Sequence, residues 1–261
     1  MNIFIKKYRL IVLTSLLFLF LFNLSRVWNK SSQNRIWTQL TLTPKCECRK
    51  PIEVSYSIKD LLTIYKVRDK YLIYSRRSTR NESDIQKAKP YYYLEPKFTC
   101  GLHESLSRGS NQKVLSYSLY GNQSYYSKYL DRIFTEAGKI YPDWSIRVYY
   151  NDSNINNSLI CDIECKYKQL DFCNVKEIPL DNFMVNADLS QSYGMMWRWF
   201  PIADDFVDVF ESRDLDSPLI QREKDSVDVW LEDRKLFHVM RDHPLHSVPI
   251  LGGMLVNIYF I

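Results

Sequence analysis

Glycine is scarce in this chain, seven residues in 261, and the scarcity excludes several chemistries at once. No G-x-G-x-x-G and no G-x4-G-K-[ST] string occurs, so the glycine-rich phosphate cradles of dinucleotide-dependent dehydrogenases and P-loop kinases are missing. The G-x-S-x-G turn that presents a hydrolase serine is missing too. Only four histidines are present. Four of the six cysteines fall in C-x-C and C-x3-C pairs rather than the C-x2-C spacing common in zinc sites, and Cys100 and Cys173 stand alone. There is no internal repeat and no low-complexity tract. No nucleic-acid motif accompanies the basic residues, and nucleic acid is not expected as a partner.

What is present is a composition that can bury a core: 46% hydrophobic and 15% aromatic residues. The net charge of +5 is unevenly spread. Residues 1–110 carry 20 Lys/Arg against 8 Asp/Glu, and residues 111–261 carry 15 against 22. Lys6, Lys7 and Arg9 precede an apolar run from Leu10 to Leu24, which Val27 and Trp28 extend. No small-x-small cleavage site follows, so the run reads as an uncleaved signal anchor with its basic flank in the cytoplasm. The expected layout is a cytoplasmic tail at 1–9, a membrane span at 10–28, a lumenal stem and N-terminal extension at 29–110, and a catalytic-size domain at 111–261. That is a type II protein of the Golgi or endoplasmic reticulum membrane. Sequons at Asn29, Asn81, Asn122, Asn151 and Asn156 agree with a lumenal location. So do six cysteines, an even number that predicts disulfides in an oxidising compartment.

Beyond Ser110 the hydrophobic period alternates between two and 3.6 residues. KVLSYSLYG reads as a strand, and Tyr126, Leu130, Ile133, Ala137 and Ile140 mark one helix face. WSIRVYYND reads as a second strand. FCNVKEI, FVDVFES and LFHVM predict further strands, SYGMMWRWFPIAD a helix, and the tail LVNIYFI one more strand. Strand, helix and strand within about 40 residues favour a parallel sheet and an α/β fold. SPLIQREKDSVDVWLED predicts a helix, with Ser217 as N-cap and Pro218 as its first residue. Asp214 and Asp216 then sit between a strand end and a helix start, the edge where open α/β sheets bind ligands. Two carboxylates so spaced can both reach one Mn2+ or Mg2+ ion, directly or through water. Taken alone, D-x-D is a weak motif that also occurs in solvated loops.

A longer pattern surrounds it. Trp197 to Met254 holds R-D-x-D-S, R-E, a W-L pair, H-x-M-R-D-H-P-x-H and I-L-G-G-M. This stretch resembles a largely uncharacterised family of predicted glycosyltransferases with the GT-A type of fold, densely over roughly 60 residues and more loosely back to Val114. The resemblance implies a nucleotide-sugar donor, a divalent metal, and a glycan, glycoprotein or glycolipid acceptor. Carried onto this chain, Asp214 and Asp216 hold the metal and donor diphosphate, with Arg213 and Ser217 as flanks. Arg198, Asp205 and Arg222 stand on the donor side. Asp242 and His243 are the catalytic candidates of the second motif, and His246 belongs to it. In the family the I-L-G-G-M string leads into further sequence, so this chain reads as shortened at its C-terminus.

Each residue also has a plainer reading. Arg198 between two tryptophans can run its stem along an apolar helix. Asp204 and Asp208 read as solvated acids at a helix end, His238 as a core histidine, and Met195, Met196 and Trp197 as core. Two other function classes compete with the transferase: a noncatalytic relative that binds carbohydrate or nucleotide sugar, and a metal-dependent hydrolase using His238, Asp242, His243 and His246 with the aspartates.

Overall fold

The computed structural model describes residues 37–59, 62–67, 70–75, 97–121, 123–151, 155–179, 189–233, 235–240 and 254–258. Two sheets carry the fold. The first is an antiparallel meander, β1 (Thr38–Leu42), β2 (Ile52–Lys59), β3 (Leu62–Val67) and β4 (Lys70–Ser75). Then follow α1 (Leu102–Arg108), β5 (Gln112–Leu119), α2 (Gln123–Ile140), β6 (Ser145–Tyr150), α3 (Asn157–Lys166) and β7 (Leu170–Asn174). Two 3-10 helices, η1 (Leu189–Gln191) and η2 (Gly194–Ala203), lead to β8 (Val207–Arg213), α4 (Gln221–Asp233), β9 (Phe237–Val239) and β10 (Met254–Ile258). The second sheet has the order β7-β6-β5-β8-β10-β9. β7, β6, β5 and β8 are mutually parallel, while β10 runs antiparallel to both β8 and β9. The α/β expectation holds as a four-stranded parallel sheet flanked by helices, extended by an antiparallel pair. No described helix is long and apolar enough to cross a membrane, and the apolar run Leu10–Leu24 lies outside the described residues.

The period-two rule sorts the sheet into two unlike faces. Leu115, Tyr117 and Leu119 of β5, Ile146, Val148 and Tyr150 of β6, and Leu170 and Phe172 of β7 face one way. They pack against Leu130, Ile133, Phe134 and Ala137 of α2, Ile160 of α3, and Val227 and Trp230 of α4. At about 25 cal/mol per Å2 of apolar surface buried, this layer supplies most of the driving force for folding. The intervening residues face the other way and include Ser116, Ser118, Arg147, Asp171 and Cys173, all buried.

That polar face is covered by η2, whose 3-10 period aligns residues three apart. Trp197 and Phe200 bury against Tyr149 and Cys173. Arg198 and Pro201 form a second buried line, and Met196 and Ile202 are turned to solvent. The two methionines expected in the core, Met195 and Met196, are therefore exposed; only Trp197 is buried. Asp204, which reads as solvated in the sequence, is buried at the end of this helix. Arg147 Nη1 donates to its Oδ2 at 2.6 Å, and Thr99 donates to the same oxygen through its backbone N–H (2.7 Å) and hydroxyl (2.9 Å). Its Oδ1 accepts the Phe206 N–H at 2.9 Å. Arg147 Nη2 reaches Gln112 Oε1 at 2.8 Å. Burial, opposed by Arg147 and helped by Asp204, pushes the Tyr149 hydroxyl up to about 12, so it stays protonated while it shares a hydrogen bond with Thr99 at 2.8 Å.

The N-terminal segment is tied to this body covalently. Cys46 pairs with Cys161, Cys48 with Cys165, and Cys100 with Cys173. Cys161 and Cys165 lie one turn apart on α3, so the C-x3-C pair forms a single helix face that a C-x-C turn can meet twice. The disulfide expectation holds, and the zinc alternative has no cysteine left for it. The Cys46–Cys161 bridge closes a loop of 115 residues, worth about 4–5 kcal/mol in the chain-entropy account. Its neighbour closes nearly the same loop and adds far less. α3 is absent from the sequence expectations because its apolar period is weak; Asn156 starts it by accepting the Ser158 N–H at 3.0 Å. Glu164 of α3 accepts the Phe172 N–H from β7. Burial, opposed by Arg49, raises its carboxyl to about 7.

Two outcomes follow. Asp204→Ala should cost about 3–5 kcal/mol in urea unfolding, because it leaves the Arg147 charge buried without a counter-ion; adding Arg147→Met should recover part of that loss. Glu164 has a folded pKa above its ordinary 4.5, so its favourable contribution is complete below pH 4.5 and is lost as pH rises through about 7. The stability of the parent relative to Glu164→Gln should therefore fall by about 3 kcal/mol between pH 4 and pH 8, measured as the difference in unfolding free energy.

Candidate functional site

β5 and β8 lie side by side where the strand order reverses. From β5 the chain passes through α2 to β6 on one side, and β8 joins β5 on the other. The β7-to-β8 connection crosses by η2 on the sheet face opposite α2 and α3. Ligands of open α/β sheets bind outside the carboxyl ends of strands at such a reversal. Tyr120 stands there after β5, and the loop of Asp214 to Ser217 stands there after β8.

The loop is a turn closed by the Ser217 N–H donating to the Asp214 carbonyl at 3.2 Å. Leu215 between the two acids is buried in the helix-side core. With Leu215 pinned inward, the acids flanking it turn outward. Asp214 keeps 46% of its side chain exposed, and Asp216 is exposed with no hydrogen-bond or ion-pair partner among the described residues. The helix behind them starts later than the sequence suggests: α4 begins at Gln221, so Ser217 is not its N-cap and Pro218 is not its first residue. Tertiary contacts hold 218–220 outside the helix. Glu136 of α2 accepts the Leu219 N–H (3.1 Å), the Pro218 carbonyl accepts from Arg213 (3.0 Å), and Leu219 is buried in the core.

Arg198 of η2 is brought to this edge. Its backbone N–H donates to Ser118 Oγ of β5 at 2.8 Å, Nη1 donates to the Arg213 carbonyl at 3.2 Å, and the same nitrogen forms an ion pair with Asp214. Its Nε is buried without a partner. The neighbouring contact of η2 requires glycine: a Cβ on Gly194 would lie 2.5 Å from Cγ of Tyr120. Tyr120 in turn packs edge-on to Trp197 and tilted against Tyr193.

Arg213 faces the other side of the sheet. Its guanidinium is buried between Glu223 of α4, with which it is hydrogen-bonded, and Glu211 at 3.5 Å. Burial, with the Glu223 carboxyl beside it, pushes Glu211 well above the ordinary carboxylate range against the pull of Arg213. The proton that Glu211 retains leaves the Arg213 charge to Glu223. The flank position that the resemblance assigns to Arg213 thus supports the loop from within. Glu211 is absent from the sequence expectations, although the E-x-R spacing on a strand puts it and Arg213 on one face; Glu223 is present there only as the acid of the R-E string.

Ser217 is half-buried in the turn, and Arg222 is exposed on the first turn of α4. Asp205 is not gathered with them. It sits before β8, at the opposite end of that strand, where its Oδ2 accepts the Lys97 N–H at 2.8 Å. Asp208 on β8 accepts from Asn111 at 2.7 Å. Asp242, His243 and His246 lie outside the described residues. His238 of β9 stacks on Trp230 and pairs with Ser226 at 3.1 Å, and burial lowers its pKa; two strands separate it from β5, and it does not join the aspartates.

The described residues gather no group of three or more acid, His or Cys side chains fit to hold a metal ion. Two outward carboxylates do suit an ion whose remaining ligands are substrate oxygens and water, the usual arrangement for Mg2+ on phosphates. A buried guanidinium beside them adds a positive charge for a phosphate oxygen.

No family model, curated protein or solved structure matches this chain.

Removing the internal support should separate stability from the exposed acids. Arg213→Met should destabilise the chain by about 3–5 kcal/mol in urea unfolding, because Glu223 loses its buried counter-ion. Pairing it with Glu223→Gln should recover part of the loss.

Proposed function

We propose that this chain is a membrane-anchored, metal-dependent glycosyltransferase of the GT-A type, acting on a nucleotide-sugar donor in the Golgi or endoplasmic reticulum lumen. The observation that carries the reading is the pair of outward carboxylates, Asp214 and Asp216, at the strand reversal with Arg198 against them. Mn2+ or Mg2+ held by the pair would serve as Lewis acid for the charge on the departing nucleoside diphosphate. Asp214 and Asp216 are the residues that would hold that ion and so position the diphosphate. Arg198, already ordered by Ser118 and the Arg213 carbonyl, offers charge at the same place without reorganisation. Arg213, Glu211 and Glu223 keep the loop in position beneath. The acceptor is a glycan, free or carried on protein or lipid.

The ion pair between Arg198 and Asp214 favours a second reading, a relative that binds the donor without transferring its sugar. Arg198 offsets the charge of one of the two metal-binding carboxylates and must release it, or share it, for a full metal site.

Asp214→Asn and Asp216→Asn should each weaken Mn2+-dependent binding of a nucleoside diphosphate by more than about tenfold, read by titration calorimetry across a panel of nucleotide sugars. Stability of the Asp216→Asn variant should move by less than about 0.5 kcal/mol, because its side chain faces solvent; Asp214→Asn should cost more, because it removes the carboxylate paired with the buried Arg198. Unchanged metal-dependent binding in both variants rejects the assignment. Multiple turnover on a defined acceptor separates the transferase from the donor-binding relative.

A further inference from the structure

The basic excess of the first 110 residues is not used at the aspartate edge. Part of it converges at the opposite edge of the sheet, in a groove of about 600 Å3 between the N-terminal sheet, α1 and α3. Arg108 and Gly109 on its rim lead into the amino end of β5, and Lys168 precedes the amino end of β7. The groove is therefore separate from the carboxyl-end site. We propose that it is a second binding site, for an oligosaccharide carrying sulfate or carboxylate groups.

Four cations line it: Arg49, Lys50, Arg108 and Lys168. The two arginines are fixed by one buried carboxylate behind them. Asp171 accepts Arg49 Nη1 on Oδ1 at 2.7 Å, Arg108 Nε on Oδ2 at 2.7 Å, and Arg108 Nη2 on Oδ1 at 2.9 Å. Arg49 also pairs with Glu164 at 3.8 Å, so Lys50 and Lys168 supply the positive excess of the lining, and both arginine side chains still reach the surface, 18% and 20% exposed. Lys50 and Lys168 are exposed; their carbonyls bond to His103 (3.1 Å) and Arg108 (3.0 Å), while their side-chain ammonium groups have no hydrogen-bond or ion-pair partner among the described residues. The one acid among the described lining residues, Glu164, is buried, accepts the Phe172 N–H and pairs with Arg49 at 3.8 Å, so it opposes an anion weakly. Ile52, Val67 and Leu106 supply an apolar wall suited to the C–H faces of sugar rings. The Cys48–Cys165 bridge ties the two sides together, so little ordering remains to be done on binding.

The volume lies within the usual range of small-ligand sites, and it is several times that of a single phosphate. A concave slot between three elements does not conform to a bilayer surface, and among the described residues no Phe, Tyr or Trp platform for nucleobases lines it. An elongated, regularly charged saccharide satisfies both the shape and the spread of cations.

The test uses the full chain in detergent and titration calorimetry with a heparin-type hexasaccharide, at two salt concentrations. The parent should bind it, and Lys50→Ala with Lys168→Ala should weaken binding by at least about tenfold and flatten its salt dependence. Lys50→Arg with Lys168→Arg should restore it, and Asp214→Asn should bind as the parent does. No binding by the parent, or equal binding by the double alanine variant, overturns the proposal. So does full competition by inorganic sulfate at matched concentration, which would indicate a single-anion site. Equal, lysine-dependent capture on phosphatidylserine vesicles would overturn it in favour of a membrane contact.

Discussion

Arg147 and Asp204 bury a full charge pair at the centre of the polar sheet face, and the position of η2 depends on it. A charge so enclosed is costly unless every partner is in place. Thr99, Gln112, the Phe206 N–H and the Tyr149 hydroxyl complete the set. That requirement fixes one end of η2 over the amino ends of the strands. At the other end the close approach of Gly194 to Tyr120 and the bond from Arg198 to Ser118 fix it over their carboxyl ends. A crossover pinned at both ends has one place to put Arg198, and that place is beside Asp214.

The two edges of the parallel sheet consequently differ in charge. At the carboxyl edge, short loops expose Asp214 and Asp216 to solvent. At the amino edge, the N-terminal segment brings Arg49 and Lys50 onto α1 and α3 and is locked there by two bridges to one helix face. Asp171 collects Arg49 and Arg108. Burial alone would raise its carboxyl, but the two guanidiniums overcome this and hold it below the usual range. Arg49, Lys50 and Arg108 of the basic half thus stand at the rim opposite Asp214 and Asp216.

Inside the fold, the same residue types serve opposite ends. Arg213 and Arg198 both meet carboxylates, yet Arg213 does so within the helix-side core and Arg198 at the solvent edge. The strand pleat decides this, since β8 turns Arg213 toward α4 and the next residue leaves the strand. Glu211 and Glu223 share one arginine in a buried space, so the loop above is supported by charge as well as by Leu215 and Leu219.

Periodicity alone was enough to locate β5, α2, β6, β8 and β9, and it put the D-x-D acids at a strand end. The cysteine count foretold bridges. The β1–β4 sheet is absent from the sequence expectations, which give 29–110 only as a stem and N-terminal extension, although Ile52, Val54 and Tyr56 of β2 alternate. What the linear pattern could not carry was pairing. Asp204 and Asp214 are both acids near element ends, but one meets Arg147, 57 residues away, and is buried, whereas the other faces solvent. The start of α4 moved because Glu136 of another helix holds the Leu219 N–H. The C-x-C and C-x3-C spacings left connectivity open until α3 set Cys161 and Cys165 on one face opposite Cys46 and Cys48. Local sequence determines period and turn chemistry because those depend on neighbours in the chain; burial and charge pairing depend on neighbours in space, and here only the tertiary structure supplied them.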